Sequence, residues 1–261
     1  VFPPDVHAVF DHGKRDVSAF PIATGTYYKV DYSPGTDISR YKNIPVPTSY
    51  MAVDSEYNFL GGYENDKKAG MLHIAAHHVS PGKKQWTWGN GDFGIAWDRN
   101  LTDEDGHYIE LMTGVYTDNQ PDFSWIMPNE EKTFRQYFMP YREVGIVKNA
   151  TKDIVIGLEQ EVEQITVRVF ATSVQNHLRI VLKSADKNLF DEHFDISPEQ
   201  CYLKEIPAYG AAPGELMLII TDAQDRELIR YQPVTSSNEA VVPDPAKPAL
   251  QPGEIANTEQ L

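Results

Sequence analysis

The sequence predicts an all-β fold, and three observations carry that prediction. Apolar residues alternate with polar ones along most of the chain instead of recurring every three or four positions. The alternating stretches are short, and clusters of Gly, Pro, Asn and Asp close each of them. Only residues 37–41 read as a helical turn, and no long amphipathic helix is expected. With 261 residues, 41% hydrophobic and 23% charged, the chain can form two ordinary domains, each with a buried core.

The first domain, residues 1–160, is rich in Trp, Tyr, His, Gly and Pro. Strands are expected over 25–32, 49–54, 70–79, 84–88, 108–116, 133–141 and 154–160. The second, residues 161–234, has shorter loops and a cleaner period of two. Over 164–172, Ile165, Val167 and Val169 share one face while Thr166 and Arg168 take the other. Leu178, Ile180 and Leu182 repeat the pattern, and Ala185-Asp186-Lys187-Asn188 turns the chain back into Leu189-Phe190. Strands over 216–221 and 228–231 flank Asp222-Ala223-Gln224-Asp225, a hairpin signal. About six or seven short strands in roughly 70 residues predict a small immunoglobulin-like β-sandwich. Residues 235–261 lose this rhythm, and Val242-Pro243-Asp244-Pro245-Ala246-Lys247-Pro248 marks a Pro-rich, disordered linker.

Charge narrows the partners. A net charge of −15 supplies no Lys/Arg stripe for phosphate, so no nucleic acid is expected, and a polyanion is disfavoured. A neutral ligand such as a sugar is compatible with that charge. No apolar run approaches the roughly 20 residues that span a bilayer as a helix. The single cysteine, Cys201, excludes an internal disulfide and reads as a small buried residue. The chain opens on Val1-Phe2-Pro3-Pro4 without a signal-peptide pattern and is expected to be cut from a longer polypeptide. Its compartment is left unassigned.

Several motifs are set aside. Gly89-Asn90-Gly91-Asp92-Phe93-Gly94 has dinucleotide-loop spacing, but no parallel βαβ unit is expected around it, nor a helix opening there. In His73-Ile74-Ala75-Ala76-His77-His78, a strand would put His73 and His77 on one face and His78 on the other, so no metal is assigned. Asp103-Glu104-Asp105-Gly106 reads as an acidic turn, since Leu101 stands where a calcium loop would place its first Asp. No cofactor is expected.

The chemistry concentrates between His77 and Trp125. Trp86, Trp88 and Trp97 lie close together among glycines, followed by Asp98 and Arg99, with His77 and His78 just upstream. Aromatic faces flanked by carboxylate, guanidinium and amide groups suit a saccharide: rings stack on the C–H face of a pyranose, and polar groups take its hydroxyls. Equally, three tryptophans serve as β-domain core. Glu110 is the sharpest candidate. In Tyr108-Ile109-Glu110-Leu111-Met112, Ile109 and Leu111 share one face, and Glu110 shares the other with Tyr108 and Met112. A half-desolvated carboxylate there suits general acid or base work; a carboxylate on a solvated sheet face is the plain alternative. Asp118 and Gln120 add a polar loop at the strand end.

These residues also carry a family likeness. Pro81-Gly82-Lys83-Lys84, Trp86-Thr87-Trp88-Gly89, Trp97-Asp98-Arg99, Tyr108-Ile109-Glu110-Leu111 and Thr117-Asp118-Asn119-Gln120-Pro121 resemble an uncharacterised bacterial domain family related to galactose mutarotases, often found upstream of tetratricopeptide repeats. Phe2-Pro3-Pro4-Asp5 and Phe10-Asp11-His12-Gly13-Lys14-Arg15-Asp16 resemble it too, so the likeness covers roughly residues 1–150. It implies part of a β-supersandwich shared with aldose epimerases, and repeats beyond the linker through which protein partners would bind. It places Glu110 where epimerases hold their catalytic base. The epimerase acid, a histidine, has no match here and would fall upstream of Val1. The resulting expectation is a carbohydrate-binding or carbohydrate-active module. Glu110 would act as base or hydroxyl acceptor, Trp86, Trp88 and Trp97 would stack, and His77, His78, Asp98, Arg99, Asp118 and Gln120 would bind. An enzyme would be epimerase-like or glycosidase-like, with Asp98 as candidate second carboxylate. A non-catalytic scaffold preceding the repeats is the alternative. An exposed sheet edge would favour a homo-oligomer.

Overall fold

The structure, a computed structural model, describes residues 1–4, 8–10, 17–19, 21–27, 29–52, 55–115, 126–233, 250 and 252–257. It is an all-β protein, as expected. The strands run β1 (Ala8–Phe10), β2 (Val17–Ala19), β3 (Ile22–Ala23), β4 (Thr26–Tyr27), β5 (Val30–Asp31), β6 (Thr36–Asp37), β7 (Thr48–Ala52), β8 (Phe59–Glu64), β9 (Ala69–Ala75) and β10 (Gly82–Thr87). A helix, α1 (Asp92–Leu101), precedes β11 (Ile109–Gly114) and β12 (Gln136–Arg142). Then come β13 (Val147–Ala150), β14 (Ile154–Gln160), β15 (Gln164–Ala171), β16 (Gln175–Ser184), β17 (Lys187–Ile196), β18 (Tyr202–Pro207), β19 (Leu216–Thr221) and β20 (Glu227–Tyr231). Every ladder among the described strands is antiparallel.

Four larger sheets form a stack: β11-β10-β7-β1-β2, then β12-β9-β8, then β13-β14-β15-β18, then β17-β16-β19-β20. Adjacent residues of one strand assign the layers. In β8, Leu60 joins a core with Tyr50, Ile38, Ile44 and Leu111, while its neighbour Phe59 joins a second core with Leu72, Met139 and Tyr141. In β14, Val155 faces that second core, whereas Ile154, Ile156 and Leu158 enter a third. A strand buried on both faces loses polar alternation, which is why Ile154-Val155-Ile156 reads as a continuous apolar run. Phe170 in β15 faces outward to the second core while Ile165, Val167 and Val169 face inward.

The third core closes a two-sheet sandwich built from β13 to β20, with Leu178, Ile180, Leu182, Leu218 and Ile220 on its second sheet. The sequence reading placed residues 154–160 at the end of the first domain. The structure pairs β14 with β15 from Ile154↔Ala171 to Gln160↔Ile165, so this strand belongs to the sandwich. The hairpin at Asp222 forms as expected: Asp225 N donates to Asp222 O (3.0 Å) and Gln224 N to Asp222 Oδ1 (2.9 Å).

Several elements of the first 160 residues depart from the sequence reading: β1, β2, β3, β6, β8, β13 and α1 were not expected, and residues 25–32, expected as one strand, form a hairpin in which β4 pairs with β5. In β8, Gly61 lets the backbone pass closely, since a Cβ there would lie 2.4 Å from the Met71 carbonyl oxygen. The buried residues of α1 are Gly94 and Asp98, so the stripe facing the protein carries a glycine and a carboxylate and shows no apolar period. The helical turn expected over 37–41 forms slightly later, as a 3-10 turn at Tyr41–Asn43. Among the described residues, no helix is long and apolar enough to cross a membrane.

Candidate functional site

The candidate site is one face of the first sheet. β10 and β11 pair in the register Lys84↔Met112, Trp86↔Glu110 and Thr87↔Ile109, and β10 pairs with β7 through Trp86↔Ser49. Residues directly opposite each other in a ladder point the same way. Lys84, Trp86, Ser49, Glu110 and Met112 therefore share a face, and Gln85, Tyr50 and Leu111 take the reverse, where Tyr50 and Leu111 pack into the first core. This agrees with the face assigned to Glu110 from sequence. Tyr108 Oη donates to Glu110 Oε1 at 3.1 Å, fixing the carboxylate from its own strand. That contact disfavours loss of the phenol proton, so burial together with Glu110 raises the Tyr108 pKa above its ordinary value. Lys84 is half-buried. Burial lowers its pKa, and the nearby Glu110 charge partly opposes the shift.

The tryptophans form one cluster. Trp86 meets Trp88 edge to face at 4.4 Å between ring centroids, and Trp88 stacks on Trp97 at 4.5 Å with the rings 6° from parallel. Phe93 closes on Trp88 from a third side at 5.8 Å. Trp88 is thus held within aromatic rings, while Trp97, 37% exposed, turns the side away from Trp88 to solvent. Trp86 and Trp88 are half-buried and Trp97 is exposed, and none of the three belongs to the three buried cores.

The glycine motif explains how α1 brings Trp97 there. Contrary to the sequence reading, a helix does open at this loop, with Gly91 at its N-cap. The preceding strand pairs antiparallel with both neighbours, so the parallel unit of a dinucleotide fold is absent around it. The glycines answer to backbone contact. A Cβ on Gly91 would stand 2.6 Å from Pro45 O, and one on Gly94 only 1.8 Å from Gly89 O. Gly89 itself has φ +80°, and its carbonyl accepts from Tyr41 Oη at 2.8 Å.

Asp98 is 7% exposed, and both of its oxygens are engaged: Oδ1 accepts from Tyr108 N at 3.0 Å and Oδ2 lies 2.8 Å from His107 Nδ1. It clasps α1 to the start of β11, on the Glu110 strand, and so positions the site. Arg99 is exposed in the last helical turn, where its charge complements the carbonyl end of the helix. His77 and His78 leave the strand, which ends at Ala75, so His77 does not share a β-face with His73 as expected. Their rings lie 3.8 Å apart in a turn, where His77 Nδ1 is 2.9 Å from Asn58 Oδ1. Asp118 and Gln120 lie outside the described residues. Among the described residues, no group of three or more His, Cys, Asp and Glu is placed to hold a metal ion. Lys84, Ser49 and His107 were missed from sequence. The period-two pattern that put Glu110 on its face also locates Lys84 and Trp86 together, but the pairing of β7 and the fold of α1 carry no local signal.

An all-β module with an aromatic and carboxylate face is the class that fold and site define. Residues 2–143 match the family described as Domain of unknown function (DUF5107), and the chain belongs to it. Residues 149–231 match the second domain of YphG-like proteins. No solved structure matches the chain.

Proposed function

We propose that the chain is a carbohydrate-recognising module whose site is the Trp86–Trp97 cluster and the adjoining Glu110. One observation carries the reading: a stacked tryptophan pair, with an exposed outer ring, continues into a sheet face bearing a carboxylate and an ammonium. An aromatic platform beside mixed hydrogen-bonding groups fits the alternating C–H and O–H surfaces of a pyranose. Glu110, oriented by Tyr108, accepts a sugar hydroxyl and serves as the base if the module turns its ligand over.

Calorimetry and thermal shift against monosaccharides and oligosaccharides test this, with wild type beside Glu110→Ala and Trp97→Ala. A ligand at about 100-fold over its dissociation constant adds roughly 2.7 kcal/mol, or about 5–10 °C for a chain of this size. A sugar that stabilises wild type and neither variant supports the site. No response from a folded chain refutes it and favours a scaffold role beside tetratricopeptide repeats.

A further inference from the structure

On the reverse of the same sheet, a cavity of about 1110 Å³ opens among β10 and β11, the edge strand β8 with its turn, residues 1–4 and 37–43, and the near end of the β13–β20 sandwich. Gln85, Ile109 and Leu111 form its first wall, the Gly61–Asp66 stretch a second, and Lys148 and Tyr231 the third. Sheets that pack fully leave no space of this kind between them, because interiors are normally filled to near crystal density. The volume equals or exceeds the roughly 300–1,000 Å³ of small-molecule pockets, which also favour junctions between units. Its polar lining is specific. Three carboxylates (Asp37, Glu64, Asp66) stand against three cations (Arg40, Lys42, Lys148), so the side chains of the walls carry no net charge. Arg40 and Asp37 are already paired at 3.6 Å. Gln85, buried in the sheet, brings a neutral amide to the wall, and Ile109 and Leu111 add apolar surface beside it.

We infer that this cavity is a second ligand site, distinct from the tryptophan face, for an uncharged polyhydroxylated molecule of monosaccharide to disaccharide size. A balanced set of charges gives no net attraction to an anion or cation but offers donors and acceptors on all sides. Amide and carboxylate groups alternating with apolar wall match a sugar ring, whose hydroxyls lie around its rim and whose C–H groups lie on its faces. Lys148 is the polar group of the far wall. Desolvation lowers its pKa, with Glu159 opposing, so its ammonium is held where water is scarce and a hydroxyl acceptor would be welcome. Because Gln85 and Trp86 are consecutive on β10, the two sites lie on opposite faces of one strand and cannot share a ligand.

The experiment uses the double variant Glu110→Ala/Trp97→Ala as its reference chain, so that both the carboxylate and the exposed ring of the tryptophan face are gone and failure of that site does not affect the result. Glucose, galactose, maltose, cellobiose and lactose are titrated calorimetrically into this chain, then into it carrying Lys148→Met or Asn65→Trp. Asn65 lies on the exposed turn at the cavity wall, so this variant narrows the cavity without touching a core, and far-UV circular dichroism verifies its fold. Binding by at least one sugar, weakened tenfold or more by Asn65→Trp and by Lys148→Met where that variant folds, supports the second site. Binding unchanged by Asn65→Trp, or no binding of any of the five sugars to the reference chain, overturns it.

Discussion

Gly94→Ala is a substitution for which local and tertiary reasoning predict opposite signs. Gly94 is the third residue of α1, and helix propensity alone says that alanine there stabilises by about 1 kcal/mol. The structure says otherwise. The new Cβ would stand 1.8 Å from Gly89 O, 2.7 Å from Gly89 C and 2.8 Å from Trp88 O, all backbone atoms. Reaching ordinary contact at 3.4 Å requires a retreat of roughly 1.6 Å. The Gly89 loop cannot supply it cheaply, because Tyr41 Oη holds its carbonyl, Asn90 N donates to Ile44 O (2.8 Å) and Gly91 N to Pro45 O (3.1 Å). The helix must therefore move outward, carrying Trp97 off Trp88. Overpacking against fixed backbone costs about 3 kcal/mol, which outweighs the propensity gain and leaves a net loss near 2 kcal/mol. For a chain of this size that lowers Tm by about 4–8 °C. Thermal melts give the stability, and the near-ultraviolet circular dichroism of the coupled tryptophans reports the stacking directly. A Tm equal to or above wild type, with an unchanged aromatic spectrum, would refute the reasoning.

Asp98→Ala removes the acceptor for Tyr108 N inside the protein and should cost about 2 kcal/mol in urea unfolding while weakening any saccharide that binds at Glu110. Tyr108→Phe leaves the fold intact but frees the Glu110 carboxylate; saccharide affinity should fall severalfold with Tm unchanged within about 2 °C, as calorimetry and melts would show. His73 is 5% exposed and stacked on Phe138 at 4.3 Å. Burial lowers its pKa below the ordinary 6.5, with the Gln136 amide opposing. As pH falls below about 6.5, the unfolded chain therefore takes up a proton that the folded chain refuses, and stability drops, by at most about 1.4 kcal/mol per pH unit for one proton. His73→Phe should flatten that part of a stability-against-pH curve, and an identical curve would rule His73 out as its source.

What the residues disclosed unaided was what depends on strand periodicity. Alternation over 164–172 and 216–221 gave strands β15 and β19 close to their observed bounds, and the same period put Glu110 and Tyr108 on one face. That held because a side chain's face in a strand depends only on the parity of its position. Tertiary structure decided the rest. Ile154-Val155-Ile156 looked like a strand but carried no mark of which domain owned it, because burial on both faces erases the polar half of the pattern. Helix α1 was invisible because the side it buries holds Gly94 and Asp98, chosen for close approach and for a carboxylate clasp, not for hydrophobicity. Trp88, Trp97 and Glu110 stand near one another in sequence, yet which ring is flanked by other aromatics and which is exposed follows from where α1 docks. The cavity beyond Gln85 was equally out of reach, since its walls come from residues more than a hundred positions apart, and only the packing of sheets leaves the space between them.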